Sequence, residues 1–435
     1  MKQKPSSKKL GLPMSISLVV GNMIGAGIFL MPSALAGYGG ISILGWLFSA
    51  AGAFLLAKVF GNLSTMVIHK SGGPYTYSRE GLGDFAAFLV AWGYWISIWL
   101  ANAAITIAFV GAIAVFFPII SENSAYAVVL GLVTIWGLTW VNSLGIRESG
   151  KVQLVTTVLK LLPLVLIIFG GFFYFNPVNF TPFNVSGKST FEAISITAAM
   201  TLYAFMGVEC ATIPAENIEN PKKTIPKATL WGTLFTTLVY IFSTIAIMGM
   251  IPLDELSKSA APFSDTMAII GGEWGRNLVA IGVAIAAFGA LNGWILIQGQ
   301  ISMATARDGL FPKIFSKKNK HDVPVLGMVI GSILTSLVMI MNYTDGLVEQ
   351  FKFLILLTAF CVLIPYLFSA ASYMLLLIKK EASPKNLWSI WGVGGLSFLY
   401  AAWAIYGSGN DAIIWGAVLV LAGVPLYLWQ KQRKN

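Results

Sequence analysis

Long apolar runs, each bounded by polar residues or by Gly and Pro, recur along the whole chain. They fall near residues 12–37, 40–66, 84–118, 124–143, 151–176 and 192–216, and again near 227–252, 272–304, 324–342, 350–378, 387–408 and 410–430. Each approaches or exceeds the roughly 20 apolar residues a helix needs to cross a hydrocarbon layer. The pattern predicts an all-α integral membrane protein of twelve transmembrane helices with short connections, which returns both termini to the same side.

Composition agrees. The 435 residues are 57% hydrophobic and only 11% charged, against about 25% charged in soluble domains, and the spans leave no length for a separate soluble domain. The first ten residues are basic and polar, and the apolar stretch that follows lacks an A-x-A-like cleavage site. It is therefore read as a first span and not as a removed signal peptide. Cys210 and Cys361 lie inside apolar runs, and His69 and His321 in polar loops. No disulfide framework, metal site or cofactor is expected. No Walker lysine motif, HExxH or G-x-S-x-G elbow occurs, so neither an enzyme nor ATP-powered transport is predicted.

The net charge of +10 is scattered among connections, which argues for membrane topology and against a nucleic-acid partner. Of the 28 Lys and Arg residues, 22 fall on one set of loops and tails and 4 on the opposite set, while Lys58 and Lys160 lie inside spans. An asymmetry of that size places both termini in the cytoplasm.

Two spans carry sequences that make poor helix interior. The first contains Gly21-Asn22-Met23-Ile24-Gly25-Ala26-Gly27, and the sixth contains Tyr203-Ala204-Phe205-Met206-Gly207-Val208-Glu209. Each mid-helix glycine costs about 1 kcal/mol relative to Ala. Close helix packing through small residues accounts for one such run. Interrupted helices at corresponding places in two halves instead point to a transporter site at mid-membrane. Free N–H groups there attract a carboxylate and free carbonyls an ammonium, the two groups of an α-amino acid.

On these residues the chain resembles the amino acid–polyamine–organocation superfamily, particularly its basic amino acid/polyamine antiporters, the arginine–agmatine antiporters among them. The resemblance is carried by GNMIGAGIFLMPSALA (21–36), SGGPYTYSREGLG (71–83), TLYAFMGVE (201–209), ENPKKTIPKAT (219–229) and ARDGLFPKIF (306–315), and runs from about Leu10 to Leu428. It implies a LeuT-like five-plus-five inverted repeat with helices 1 and 6 broken. Residues 10–176 would form the first repeat, 191–378 the second and 387–430 two additional helices. It also implies alternating access in a bacterial inner membrane, and it allows a homodimer through the two additional helices.

Several site residues follow from the resemblance. Asn22, Ile24, Gly25, Ala26 and Gly27 match the carboxylate-binding break, with Ala26 where the antiporters have serine. Tyr94, Tyr203 and Trp294 match aromatics that gate the pocket or stack on substrate, Tyr203 replacing a tryptophan, and Trp95 neighbours them. Asn102 matches an asparagine that meets the far end of the substrate. It lies about 80° round the helix from Tyr94.

Two buried charges stand out by themselves. An ionised carboxylate at mid-membrane costs at least about 2.5 kcal/mol, which makes Glu209 a functional candidate; the resemblance gives its counterpart a part in proton coupling. Lys160 lies nine residues beyond Lys151, about 13 Å at helical rise, with apolar neighbours. Arginine–agmatine antiporters lack this lysine, whereas proton-coupled and exchanging relatives have one. Its expected role is proton coupling, as an ammonium held by carbonyls of the broken first helix that can release its proton. Asn292, Ser302, Thr358 and Thr201 are read as interhelical hydrogen bonders, Pro365 as a helix kink, and SGGPYTYSRE and ENPKKTIPK as loops.

Two readings stay open here. One is an antiporter of cationic amino acids and amines; the other is a proton-coupled permease or exchanger of neutral or broad-range amino acids, favoured by Lys160 and Ala26. A channel fits the paired breaks poorly, and a sensor would need an appended domain.

Overall fold

The computed structural model describes residues 11–25, 27–67, 73–144, 160–161, 164–212, 218–321, 323–341, 346–379 and 387–432. Its long elements are all helices. The first four are α1 (Leu12–Met23), α2 (Gly27–Ala36), α3 (Ser42–Met66) and α4 (Pro74–Leu82). Next come α5 (Asp84–Ala114), α6 (Ser124–Ser143), α7 (Leu164–Tyr174) and α8 (Thr190–Ala204). The remainder are α9 (Pro221–Met250), α10 (Pro262–Arg307), α11 (Val325–Met341), α12 (Leu347–Lys379), α13 (Leu396–Gly407), α14 (Asn410–Leu421) and α15 (Val424–Gln432).

Among the described residues eight helices are long and apolar enough to cross a membrane, or nine when α1 and α2, inclined at 44°, count as one bent span. Outward-facing side chains are large and apolar, such as Phe172 (85% exposed), Phe173 (86%) and Trp388 (72%). In water such a surface would drive aggregation; it is the exterior of a multi-pass membrane protein.

Lipid offers helices no hydrophobic reason to associate, so small residues and polar pairs hold the interior together. Ser49 and Thr201 share a 2.5 Å hydrogen bond between α3 and α8. Asn142 on α6 donates to Asn292 on α10 at 2.9 Å, and Thr335 on α11 donates to the Trp99 carbonyl of α5 at 2.9 Å. Of the long apolar helices, α5 is the most enclosed, and it packs against α10 and α12.

Several expectations need correcting. SGGPYTYSRE and ENPKKTIPK are not plain loops: Pro74 opens α4 and Pro221 opens α9, each in the first turn of its helix. Proline is favoured there because that N–H has no helical partner anyway. In both stretches the prolines mark helix starts and not turns. Helix α10 begins ten residues earlier than the apolar run and changes direction at Gly272 (φ 60°, ψ −159°). Ser302 bonds its own helix at Gly299, and the Thr358 hydroxyl has no partner among the described residues.

Polar contacts anchor α4. Arg79 Nε donates to Asp84 Oδ1 at 2.7 Å, and the Tyr75 hydroxyl donates to Asp308 Oδ2 at 3.1 Å. Burial, and then the Asp308 carboxylate, push the Tyr75 phenol's pKa up, so it remains a donor throughout the physiological range.

Candidate functional site

Helix α1 stops at Met23 because Ile24 leaves helical geometry (φ −73°, ψ 70°), and α2 begins only at Gly27. Helix α8 stops at Ala204, and the chain passes through turns before a short 3₁₀ turn at Cys210–Thr212. These two interruptions meet. A Cβ on Gly207 would lie 3.2 Å from the backbone of Asn22 and Met23, and Gly207 holds φ +104°. A side chain there would suffer both strain and a clash. Gly207→Ala is therefore expected to lose about 1–3 kcal/mol, read as a thermal midpoint in detergent several degrees lower. An unchanged midpoint would contradict the tight approach.

The carbonyls freed at the two helix ends are partly served by the protein itself. The Tyr240 hydroxyl of α9 lies 2.5 Å from the Met23 carbonyl and 3.1 Å from the Ala204 carbonyl, so one phenol bridges both ends. The Lys160 ammonium, 1% exposed, donates to the Gly21 carbonyl at 2.5 Å. Asn22 folds back on its own helix, its amide donating to Leu18 O at 2.8 Å.

A cavity opens beside the breaks, lined by Asn22, Met23, Gly25, Gly27, Ile28, Ala101, Ile105, Tyr203, Ala204, Met206 and Trp294. The first N–H groups of α2 have no partner within their helix and border this space. The Tyr203 ring occupies the place where a Gly27 side chain would project, so glycine alone fits. Tyr203 also meets Phe351 of α12 edge to face at 6.2 Å. Of the expected residues, Asn22, Gly25, Gly27, Tyr203 and Trp294 thus share one cavity. Ile24 is buried in the core and does not line it. Ala26 lies outside the described residues.

Asn102 stands next to Ala101 but does not line the cavity; it belongs to a buried amide relay. Gln298 Nε2 donates to the Met328 carbonyl at 2.9 Å. That carbonyl can only accept, so the Gln298 amide is oriented with Oε1 toward Asn102. Asn102 Nδ2 donates to it at 2.9 Å. The Asn102 oxygen is left buried with no hydrogen-bond partner among the described residues. An orphaned acceptor of this kind favours an N–H donor and disfavours an apolar group.

Tyr94 and Glu209 form a second cluster toward the end of the bundle where α5 begins. The Tyr94 hydroxyl donates to Glu209 Oε1 at 2.6 Å and the Tyr366 hydroxyl to Oε2 at 2.8 Å. The Gly207 N–H donates to Oε2 at 3.3 Å. One carboxylate thereby ties α5, α12 and the turn after α8 together. Trp95 points elsewhere, into an aromatic group with Trp92, Phe311 and Phe315. Tyr366, Tyr240 and Gln298 escaped the sequence reading. Tyr366 follows Pro365 in an unbroken apolar run, and nothing local distinguishes any of the three from a residue that only packs. Among the described residues no group of three His, Cys, Asp or Glu side chains is placed to hold a metal ion.

Known proteins resemble nearly the whole chain. Residues 10–426 match the profile of the amino acid permease family. Over 427 residues the chain is 34% identical to the putrescine transporter PotE of Haemophilus influenzae, with 97% of each protein covered. The arginine/ornithine antiporter of Pseudomonas aeruginosa is 32% identical over 97% of this chain and 91% of its own length. The cadaverine/lysine antiporter of Escherichia coli is 32% identical over 84% of this chain and 83% of its own length. With a family profile and full-length relatives matched nearly end to end, the chain belongs to the amino acid permease family, in its branch of basic amino acid/polyamine antiporters.

Proposed function

We propose that this protein exchanges a cationic amino acid for a related amine across a bacterial inner membrane by alternating access. The single observation that carries the reading is the junction of the α1–α2 and post-α8 breaks beside a cavity whose lining includes Tyr203 and Trp294. The relatives, named as transporters of diamines and basic amino acids, support the substrate class. The N–H groups at the start of α2, with Gly25 and Gly27 bordering the cavity, suit a substrate carboxylate. The aromatic faces of Tyr203 and Trp294 suit a cationic chain, worth about 2 kcal/mol when desolvated. The orphaned oxygen of Asn102, one residue beyond the cavity-lining Ala101, would suit N–H groups at its far end in a state where the cavity extends that far.

In this reading the chain crosses the membrane twelve times with both termini cytoplasmic. Residues 10–176 and 191–378 form inverted repeats, and 387–430 adds two helices through which two copies can pair. The Glu209 cluster lies between cavity and cytoplasm and closes that route while its three bonds hold. Opening requires α5, α12 and the turn after α8 to part, and a proton on Glu209 would loosen them. Lys160 favours a second reading, a proton-coupled permease for neutral amino acids, because an ammonium on the Gly21 carbonyl joins the first break to a titratable group.

Counterflow separates the two. Proteoliposomes would be preloaded with arginine, ornithine, lysine, putrescine, cadaverine or alanine and given labelled ornithine or labelled alanine outside. Labelled ornithine is expected to enter only against a cationic counter-substrate. Entry of alanine against alanine, with no ornithine exchange, would overturn the antiporter reading in favour of the second.

A further inference from the structure

Lys58 has no part in the site above, and its position is costly. It sits in α3 between Ala57 and Val59, eight residues or about 12 Å at helical rise from the helix end at Met66, with the polar Asn62, Ser64 and Thr65 in between. Its side chain is exposed on the outer surface of the protein. A lysine in that place needs a counter-charge or a path to the interface.

The packing of α3 on α9 supplies the surroundings. Gly61 lies against Pro226, where an added Cβ would stand 3.2 Å from the proline Cα. Farther along, Trp46 meets Tyr240 with ring centroids 5.2 Å apart. The two contacts make the helices antiparallel and fix their register. At about 100° per residue, Lys58 lies about 60° round from the Gly61 contact line, and Lys223 and Lys227 lie about 60° and 100° round from Pro226. The rotational sense is the same on both helices, and for an antiparallel pair equal rotation leads to the same side of the interface. Trp46 and Tyr240, rotated the other way, are fully buried; the lysine side is the outer one.

Along the axis Lys227 falls about 3 Å from the level of Lys58 and Lys223 about 9 Å farther toward the helix ends. All three lysines are exposed. Neither α3 nor α9 contains an Asp or Glu, and no ion pair to these lysines occurs among the described residues. Deeper in the membrane, the same outer face of α9 shows Trp231, 59% exposed, and Leu234, 36% exposed.

We propose that the outer side of the contact between α3 and α9 is a binding site for an anionic phospholipid. Lys58 and Lys227 hold the headgroup phosphate, Lys223 adds to the field at its outer edge, and the acyl chains run along Trp231 and Leu234. A soluble anion would match the charges but would leave the exposed apolar Trp231 and Leu234 beside them uncovered. A lipid carries its phosphate there on chains that cover the neighbouring apolar surface. Basic crevices between transmembrane helices recognise headgroups in this way.

Native mass spectrometry of the full-length chain, titrated separately with phosphatidylglycerol, phosphatidylcholine and inorganic phosphate, tests the site. Phosphatidylglycerol is expected to bind preferentially, with affinity falling about fivefold for Lys58→Leu and about fivefold again when Lys227→Ala is added, near 1 kcal/mol per lysine. Lys58→Arg should retain the preference. Lys227→Ala alone should show its own fivefold loss and makes no demand on folding at Lys58. Lys313→Ala, the same charge change after α10, should have no effect. Equal binding of the two lipids, an equal loss with Lys313→Ala, or lysine-dependent binding of inorganic phosphate that competes with the lipid would each overturn the proposal.

Discussion

Replacing Glu209 with glutamine is expected to flatten the pH dependence of exchange between pH 5.5 and 7.5 while leaving substrate affinity within about twofold, well under 1.4 kcal/mol. The reason lies in donor and acceptor counting. An ionised Glu209 accepts from Tyr94, Tyr366 and the Gly207 N–H at once. Once protonated it carries a donor of its own, and one phenol must turn from donating to accepting. Glutamine holds the cluster permanently in an arrangement of the second kind, with no proton to gain or lose. Maximal exchange should fall about tenfold, because a hydrogen bond to a charged group, worth about 1.5–3 kcal/mol, becomes a neutral one. Glu209→Ala is the harsher change. It strands two buried phenols at about 1–3 kcal/mol each and should lower both the thermal midpoint and exchange at every pH. Initial rates in proteoliposomes at three pH values, together with substrate affinity, provide the check. Lost affinity with an intact pH profile would refute the coupling role.

In the second, proton-coupled reading, Lys160→Met is expected to reduce proton-driven net uptake by about 10- to 100-fold, the loss of a buried hydrogen bond from a charged donor. Methionine nearly fills the lysine volume, so packing survives while the ammonium leaves the Gly21 carbonyl. Lys160→Ala removes volume as well and should also lower the thermal midpoint, by the cost of a cavity. Comparing the two variants separates charge from packing. If Lys160→Met takes up substrate under a proton gradient as the native chain does, the ammonium has no coupling role. If net uptake falls while one-for-one exchange persists, Lys160 serves coupling and not substrate binding.

The residues that could be recognised before any coordinates were known are those whose chemistry is out of place locally. Glu209 and Lys160 are charges in apolar runs, and Gly25, Gly27 and Gly207 are glycines in what should be continuous helix. Each violates a rule that holds over a few residues, so a one-dimensional reading detects it. Apolar run length likewise determined the membrane class, although its boundaries shifted where Pro221 and Pro262 began helices ahead of the apolar run. Proline serves both turns and helix starts, and only the backbone that follows distinguishes them.

Tertiary structure alone decided which of these residues meet. Tyr94, Tyr366 and Glu209 are separated by more than a hundred positions, and nothing near Tyr366 distinguishes it from a packing tyrosine until the carboxylate is found beside it. The Tyr240 bridge and the Gln298 relay that leaves the Asn102 oxygen free are hidden for the same reason. Hydropathy along one helix records whether that segment can cross the membrane, a local average that does not separate lipid-facing from helix-facing positions. A hydrogen bond between helices depends on the register and rotation of both, and those are set by contacts such as Gly61 on Pro226 and Gly207 on Asn22. Local chemistry along the chain is enough to mark a multi-pass permease with two weak points in its helices; how those weak points join, and which side chains serve them, follows from the packing.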